Sequence, residues 1–348
     1  MQNVQLGRNG PMVSAICLGS MTWGSQNTEA EGHAQIDRAL ARGVDFIDTA
    51  EMYPVNPVRA ETVGRTEEII GSWLARSGRR HQVVLATKLT GEGSSAVRHG
   101  APITPAAIRA GVEASLRRLR TEHIELYQFH WPNRGSYAFR QQWSFDPSHQ
   151  NREANLADMR ACLETVAQLQ ADGKIGHFGL SNESSWGMAQ WLALSQAGVG
   201  PRAVSIQNEY SLLCRMYDTD LAELGVNEQV TLLAYSPLAA GLLTGKYAPD
   251  ALPPPGSRRA VHPTLGGRIT PRVWGAIDAY HAIARQAGLD PVQMALAWIM
   301  RRPFPVLPII GATSLAQLDL ALGAAELRLP ADVLAQITRA HKARPMPF

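Results

Sequence analysis

Val83-Val84-Leu85-Ala86-Thr87-Lys88 is a short apolar run that ends on an amine, and the same pattern recurs along the chain. Val44-Asp45-Phe46-Ile47 leads into Asp48, with Tyr53 five residues further on, and Ile124 to Phe129 leads into His130. Asn182, Gln207 and Tyr235 end or follow three more such runs. Parallel strands closed into a barrel bring polar strand ends of this kind to a single mouth, where barrel enzymes carry out their chemistry. An open, doubly wound sheet would string the six ends along an edge, so their distribution favours the barrel.

Working outward, β-type runs alternate with helical patterns. The runs are Ala15-Leu18, Phe46-Ile47, Val83-Thr87, Ile124-Phe129, Ile175-Leu180, Val204-Gln207, Thr231-Tyr235 and Val306-Ile310. Between them, spacing near 3.6 predicts helices over Glu29–Arg42, Thr66–Arg76, Pro105–Arg118, Glu153–Ala171, Ser185–Ser195 and Thr219–Leu224, with Ser314–Ala324 after the last run. Gly43, Gly78, Gly173 and Gly198 fall where a left-handed residue would end a helix. The expectation is an α/β fold, a (β/α)8 TIM barrel, forming a single domain over residues 1–348. Three stretches depart from the repeat. Val4-Gln5-Leu6 and Met12-Val13-Ser14 flank a turn and predict an N-terminal hairpin capping the barrel bottom. Pro132 to Arg152, with Tyr137, Phe139, Trp143 and Phe145, is a long mouth loop placed to wall a substrate pocket. A Pro-, Gly- and Arg-rich stretch, Ala248 to Thr270, precedes extra C-terminal helices at Arg272–Ala287, Pro291–Arg301 and Ala331–Lys342.

Composition narrows the functional classes. Hydrophobic residues make up 45% of the chain and charged residues 18%, which is enough apolar material for a large core. The net charge of +3 is small and the basic residues are scattered. Arg117-Arg118-Leu119-Arg120 reads as an exposed helix face, so no nucleic-acid partner is expected. Cys17, Cys162 and Cys214 are too widely spaced for a disulfide framework, and with no HExxH among the ten histidines no metal site is expected. Neither a secretory signal nor a stretch of roughly 20 apolar residues is visible, so a cytoplasmic chain without a membrane partner is expected.

An acid, a phenol, an amine and an imidazole at one mouth suit proton transfer to a carbonyl beside a hydride donor. A phenol is a reluctant acid near neutral pH, and a neighbouring ammonium lowers its pKa. Lys88 could supply that charge, Asp48 could hold Lys88 protonated, and His130 could donate to the substrate oxygen near Tyr53. Gly91-Glu92-Gly93-Ser94-Ser95-Ala96 fits a dinucleotide fingerprint in letters, but no apolar helix follows it, so a loop is expected.

Asp48-Thr49-Ala50-Glu51-Met52-Tyr53, Ala86-Thr87-Lys88, Tyr127-Gln128-Phe129-His130-Trp131 and Gly179-Leu180-Ser181-Asn182 resemble motifs of the aldo-keto reductase superfamily. So do Ile206-Gln207-Asn208, Ala234 to Leu238, Gly241 to Tyr247 and Ile310-Gly311-Ala312-Thr313, in the family order. Glu51-Met52-Tyr53-Pro54 and His130-Trp131-Pro132 are similar to its bacterial Tas-type branch. The resemblance implies NADPH-dependent reduction of a small aldehyde or ketone. Tyr53 would be the proton donor, with Asp48, Lys88 and His130 completing a catalytic tetrad. It implies that Ser181, Asn182 and Gln207 hold the nicotinamide carboxamide and that Tyr235 stacks on the ring. Gly19, Met21 and Thr22 would lie beneath the ribose. Ser236, Leu238, Gly241 and Leu243 would strap the pyrophosphate, and Lys246, Ser257 and Arg258 would face the 2′-phosphate. Gly311, Thr313 and Gln317 would add contacts near the adenosine, while Arg259 and Arg268 remain alternatives for the phosphate. Leu320-Ala321 stands where related branches carry Glu-Asn. Trp23 and Trp131, with Tyr53 and His130, would line the substrate pocket. The alternative is an NADPH-binding redox-sensing module similar to potassium-channel β subunits; an oligomer is compatible with either.

Overall fold

Strand residues alternate faces with a period of two. In the computed structural model, which describes residues 1–348, that alternation separates the barrel interior from its helical coat. β1 (Asn3–Gln5) and β2 (Met12–Ser14) form an antiparallel hairpin. β3 (Cys17–Gly19), β4 (Phe46–Asp48), β5 (Val84–Leu89), β6 (Ile124–Phe129), β7 (Ile175–Ser181), β8 (Ala203–Glu209), β9 (Thr231–Tyr235) and β10 (Val306–Ile310) close into a barrel in the order β10-β3-β4-β5-β6-β7-β8-β9. Closure of β10 onto β3 excludes the open sheet.

Cys17, Phe46, Ala86, Leu126 and Leu233 pack together inside. Two residues further along the same strands, and so on the same face, come Gly19, Asp48, Lys88, Gln128 and Tyr235. Leu18, Ile47, Leu85, Tyr127 and Phe178 have the opposite parity and join the larger core under the helices. The interior is therefore mainly apolar towards the bottom, with its ionisable side chains gathered at the C-terminal mouth.

The coat comprises α1 (Glu29–Ala41), α2 (Arg65–Ser77), α3 (Pro105–Leu119), α4 (Arg152–Ala171), α5 (Ser185–Gln196) and α6 (Asp220–Asn227). α7 (Arg258–Val261), α8 (Val273–Gln286) and α9 (Pro291–Ile299) lie between β9 and β10. α10 (Leu315–Leu322) and α11 (Ala331–Ala343) close the chain. Local chemistry sets the ends: Thr28 and Glu31 make a reciprocal capping box at α1, and Thr104 caps α3 with Pro105 in its first turn. Gly43, Gly78, Gly173 and Gly198 all take positive φ, as expected of helix terminators. α10 packs on α1 and closes the ring, while α8 and α11 pair outside it. No helix is long and apolar enough to cross a membrane.

The hairpin does cap the bottom. Leu6 and Val13 join the interior apolar cluster, and the Gly7 amide donates to Thr231 Oγ1 at 2.8 Å. Strand ends shift by a residue or two from expectation; the consequential case is β8, which extends to Glu209 and carries that carboxylate to the mouth. Because the bottom carries stability and the mouth carries chemistry, Leu6→Ala should cost about 2–5 kcal/mol in denaturant unfolding while leaving cofactor affinity unchanged.

Candidate active site

Lys88 is fully buried at the floor of the mouth. Its Nζ donates to Asp48 Oδ2 at 2.6 Å, to the Thr49 carbonyl at 2.8 Å and to the Tyr53 hydroxyl at 3.3 Å. Asp48 Oδ1 accepts from Gln207 Nε2 at 2.9 Å and from Gln128 Nε2 at 3.2 Å. The His130 ring meets the Tyr53 ring edge-on at 5.9 Å between centroids, and His130 Nδ1 is buried without a partner. The four strand-end residues thus converge, and the amine lies between the acid and the phenol.

Burial opposes the charge on Lys88, but Asp48 first and Tyr53 second outweigh it, and the ammonium is held above its usual pKa. Burial lowers His130 well below the usual imidazole value, with Lys88 adding to the effect, so the ring is neutral near pH 7. Tyr53 corrects the expectation from sequence. Burial raises the phenol above its ordinary value of 10.0; Lys88 pulls the other way and is outweighed, partly because Asp48 already balances the ammonium. The resting phenol keeps its proton.

Ser181, Asn182, Gln207 and Tyr235 form one connected group beside the tetrad. Tyr235 Oη donates to Asn182 Oδ1 at 2.7 Å, Asn182 Nδ2 donates to the His130 carbonyl at 2.9 Å, and Ser181 Oγ donates to the Gln207 carbonyl at 2.8 Å. Asn182 and Ser236 both adopt left-handed backbone, φ 52° and 50°, a conformation that costs Ser236 about 1–2 kcal/mol and that Asn182 tolerates better. Such strain aims side chains at a functional mouth.

The segment from Ser236 to Thr270 crosses the mouth. Gln26 Nε2 donates to the Gly256 carbonyl at 3.0 Å, and Arg258 reaches Asn56 Oδ1 at 3.5 Å. Burial, with Arg268 beside it, lowers Arg258 to about 10, and Ser257 Oγ is buried without a partner. A partly buried guanidinium with no carboxylate of its own, next to an unpaired hydroxyl, fits an anionic dinucleotide phosphate. The three candidate arginines separate clearly. Arg268 Nε donates to Glu209 Oε1 at 2.8 Å, and Arg259 Nη1 turns to the Ala248 carbonyl at 2.6 Å. Arg258 has only the long contact to Asn56 Oδ1. Lys246 is exposed over Tyr247. Leu238 and Gly241 are partly open on this segment, while Leu243 is buried in the core. Gly19 and Gly311 end β3 and follow β10, and Met21 and Thr22 follow β3; Thr22 Oγ1 donates to Asn27 Oδ1 at 2.8 Å. Thr313 bonds Gln317 Oε1 through its amide at 3.0 Å, at the start of α10. Leu320 is exposed, and its carbonyl accepts from Gln293 at 3.1 Å.

Trp23 does not line the pocket. Its indole is wholly buried, donates to Gln35 Oε1 at 3.2 Å and packs over Gly32 of α1, making it a core residue beneath the first loop. Trp131 does face the mouth: its ring lies 5.0 Å from His130 and 5.7 Å from Phe139, and its Nε1 donates to the Glu92 carbonyl at 2.9 Å. The Gly91 stretch is a loop, and a Cβ at Gly91 would run into Trp131. The loop from Pro132 to Arg152 is tied down by the Arg134–Glu183 pair and by Ser136 Oγ donating to the Asn182 carbonyl at 2.8 Å. Trp143 is 62% exposed, with the Arg272 guanidinium 5.4 Å from its ring centroid. Gln128 and Glu209 were missed in sequence reading, although each stands two residues from an assigned inward residue, His130 and Gln207.

Comparison with known proteins gives a consistent result. A model of the aldo/keto reductase family matches residues 15–342. Protein tas of Escherichia coli strain K12 is 41% identical over 334 residues, spanning 95% of this chain and 94% of that protein. The uncharacterized oxidoreductase YrpG of Bacillus subtilis is 30% identical over 341 residues, spanning 96% and 94%. Aldo-keto reductase str7 of Strobilurus tenacellus is 27% identical over 341 residues, spanning 94% and 89%.

Removing one partner of a buried pair strands the other charge. Asp48→Asn should therefore destabilise the fold by about 3–5 kcal/mol in urea unfolding, and Asp48→Leu combined with Lys88→Met should recover much of it. A loss below about 1 kcal/mol for the single change would mean that water reaches the ammonium.

Proposed function

The chain belongs to the aldo/keto reductase family, and from that premise we propose that it reduces an aldehyde or ketone to the alcohol with NADPH, Tyr53 acting as proton donor. The observation that carries this reading is the position of Lys88 Nζ, 2.6 Å from the Asp48 carboxylate and 3.3 Å from the Tyr53 hydroxyl. A bound nicotinamide would supply the hydride.

The protein's own groups handle the oxygen. Neutral His130 donates one hydrogen bond to the carbonyl, polarising it and setting its distance from Tyr53. As negative charge grows on that oxygen, the Tyr53 hydroxyl gives up its proton, and the phenolate left behind is stabilised by the Lys88 ammonium it already touches. Asp48 keeps that ammonium charged throughout. General acid catalysis of this type contributes about 10²–10⁴-fold, and the remainder comes from orientation in the closed mouth. Asn182, Gln207 and Ser181 would hold the carboxamide, with the Tyr235 ring as the stacking platform. Arg258 with Ser257 would take the 2′-phosphate, which favours NADPH over NADH. Trp131, and Phe139 behind it, would form the apolar wall around the carbonyl.

Tyr53→Phe should lower turnover by about 10²–10⁴-fold on any carbonyl that the wild type reduces, with NADPH affinity nearly intact. If no member of a panel of aldehydes and ketones accelerates NADPH oxidation although the cofactor binds tightly, a binding or sensing module becomes the better description.

The rate of reduction depends on a protonated Tyr53 and a neutral His130. With the phenol raised above 10.0 and the imidazole well below 6.5, kcat/KM should be flat through pH 6.5 and fall only in the alkaline range beyond 10. A break near pH 6.5 would assign His130 a charged role.

Arg258→Ala should raise the Kd for NADPH far more than that for NADH; equal weakening of both would remove the phosphate assignment.

A further inference from the structure

Glu209 stands at the mouth end of β8, two residues beyond Gln207 and opposite Tyr235 in register. Its side chain holds two loops that are distant in sequence. Oε1 accepts from Arg268 Nε at 2.8 Å on the segment that crosses the mouth after β9, and Oε2 accepts from Arg140 Nη1 at 2.9 Å on the aromatic loop after β6. Arg268 is almost completely buried; it also bonds the Leu265 carbonyl at 2.8 Å and Ser236 Oγ at 3.4 Å, a residue of the proposed pyrophosphate strap. Arg140 follows Phe139, whose ring packs on Trp131, and both residues sit in left-handed backbone, φ 56° and 67°. Three guanidinium groups, Arg140, Arg258 and Arg268, thus gather around a single carboxylate: burial and then Arg268 lower Arg140, burial with Arg268 and Arg140 lowers Arg258, and Glu209 outweighs burial to hold Arg268 above its usual value.

We propose that Glu209 is a positioning residue that clasps the aromatic loop and the strap together, so that the substrate wall and the cofactor cover open and close as one unit. Without its charge, Arg140 and Arg268 face each other unbalanced and both loops lose their common anchor. Neither loop then has reason to follow the other. The proposal rests on reading the segment from Ser236 to Thr270 as the cofactor strap.

Hydrogen exchange on the cofactor-free full chain tests it without any turnover. Glu209→Gln should accelerate exchange several-fold in both the 136–145 and the 257–269 segments. Arg140→Ala, a partly exposed position far less able to disturb folding, should accelerate exchange in 257–269 as well as in its own loop. Protection lost only in the mutated residue's own segment overturns the clasp. NADPH release followed by fluorescence should speed up several-fold in both variants, and an unchanged release rate in Arg140→Ala overturns the coupling to the cofactor. Failure of every carbonyl to be reduced would count against the reductase reading alone, because the exchange measurement involves no substrate.

Discussion

A fully buried ammonium is the constraint around which the mouth is built. Lys88 has no water to solvate it, and an isolated charge in such a place costs several kcal/mol. The Asp48 carboxylate at 2.6 Å and the Thr49 carbonyl at 2.8 Å replace that water. The other oxygen of Asp48 takes the amides of Gln207 and Gln128, so the ammonium and two amide side chains of the mouth share one acid. Because Asp48 already balances the charge, Tyr53 does not need to ionise to neutralise Lys88. Burial then decides, and the phenol stays protonated.

The barrel divides its labour along its axis. Apolar inward residues and the hairpin plug of Leu6 and Val13 hold the bottom shut, while β4, β5, β6, β7, β8 and β9 carry polar residues at or just past the opposite end. At the mouth the same device appears twice. Asp48 collects donors from β5, β6 and β8, and Glu209 collects an arginine from each of two loops. Around Glu209 positive charge is in excess, which suits a site for a phosphate-bearing cofactor and leaves Arg258 as the guanidinium with an unfilled need.

Much of this was legible in the sequence because barrel strands are short, mostly apolar runs that end on polar residues at the mouth. Ile124–Phe129, Thr231–Tyr235 and Val306–Ile310 are bounded as the apolar runs suggest, and the polar residues that follow mark the mouth. Direction was harder to read. Trp23 looks like a pocket wall until α1 supplies Gly32 and Gln35 as its bed. The arginines at 258, 259 and 268 are near neighbours in sequence, and only the path of the loop sends Arg259 to carbonyls, Arg268 to Glu209 and Arg258 towards the mouth. The sign of the Tyr53 shift depends on burial competing with a neighbouring charge, two quantities that no local motif contains. The period-two rule reaches Glu209 one step beyond Gln207, and Gln128 one step before His130 inside a motif already quoted.

Direct titration of Tyr53 tests the centre of this account. Tyrosine carrying carbon-13 at the ring Cζ, with the signal assigned by its absence in Tyr53→Phe, reports the phenol's protonation state by NMR. If Asp48 balances Lys88, the Tyr53 signal stays that of the neutral phenol beyond pH 10.0, the ordinary midpoint for tyrosine. A phenolate signal appearing near neutral pH would contradict it, because Lys88 would then be neutralised by Tyr53 and the resting proton donor would be missing.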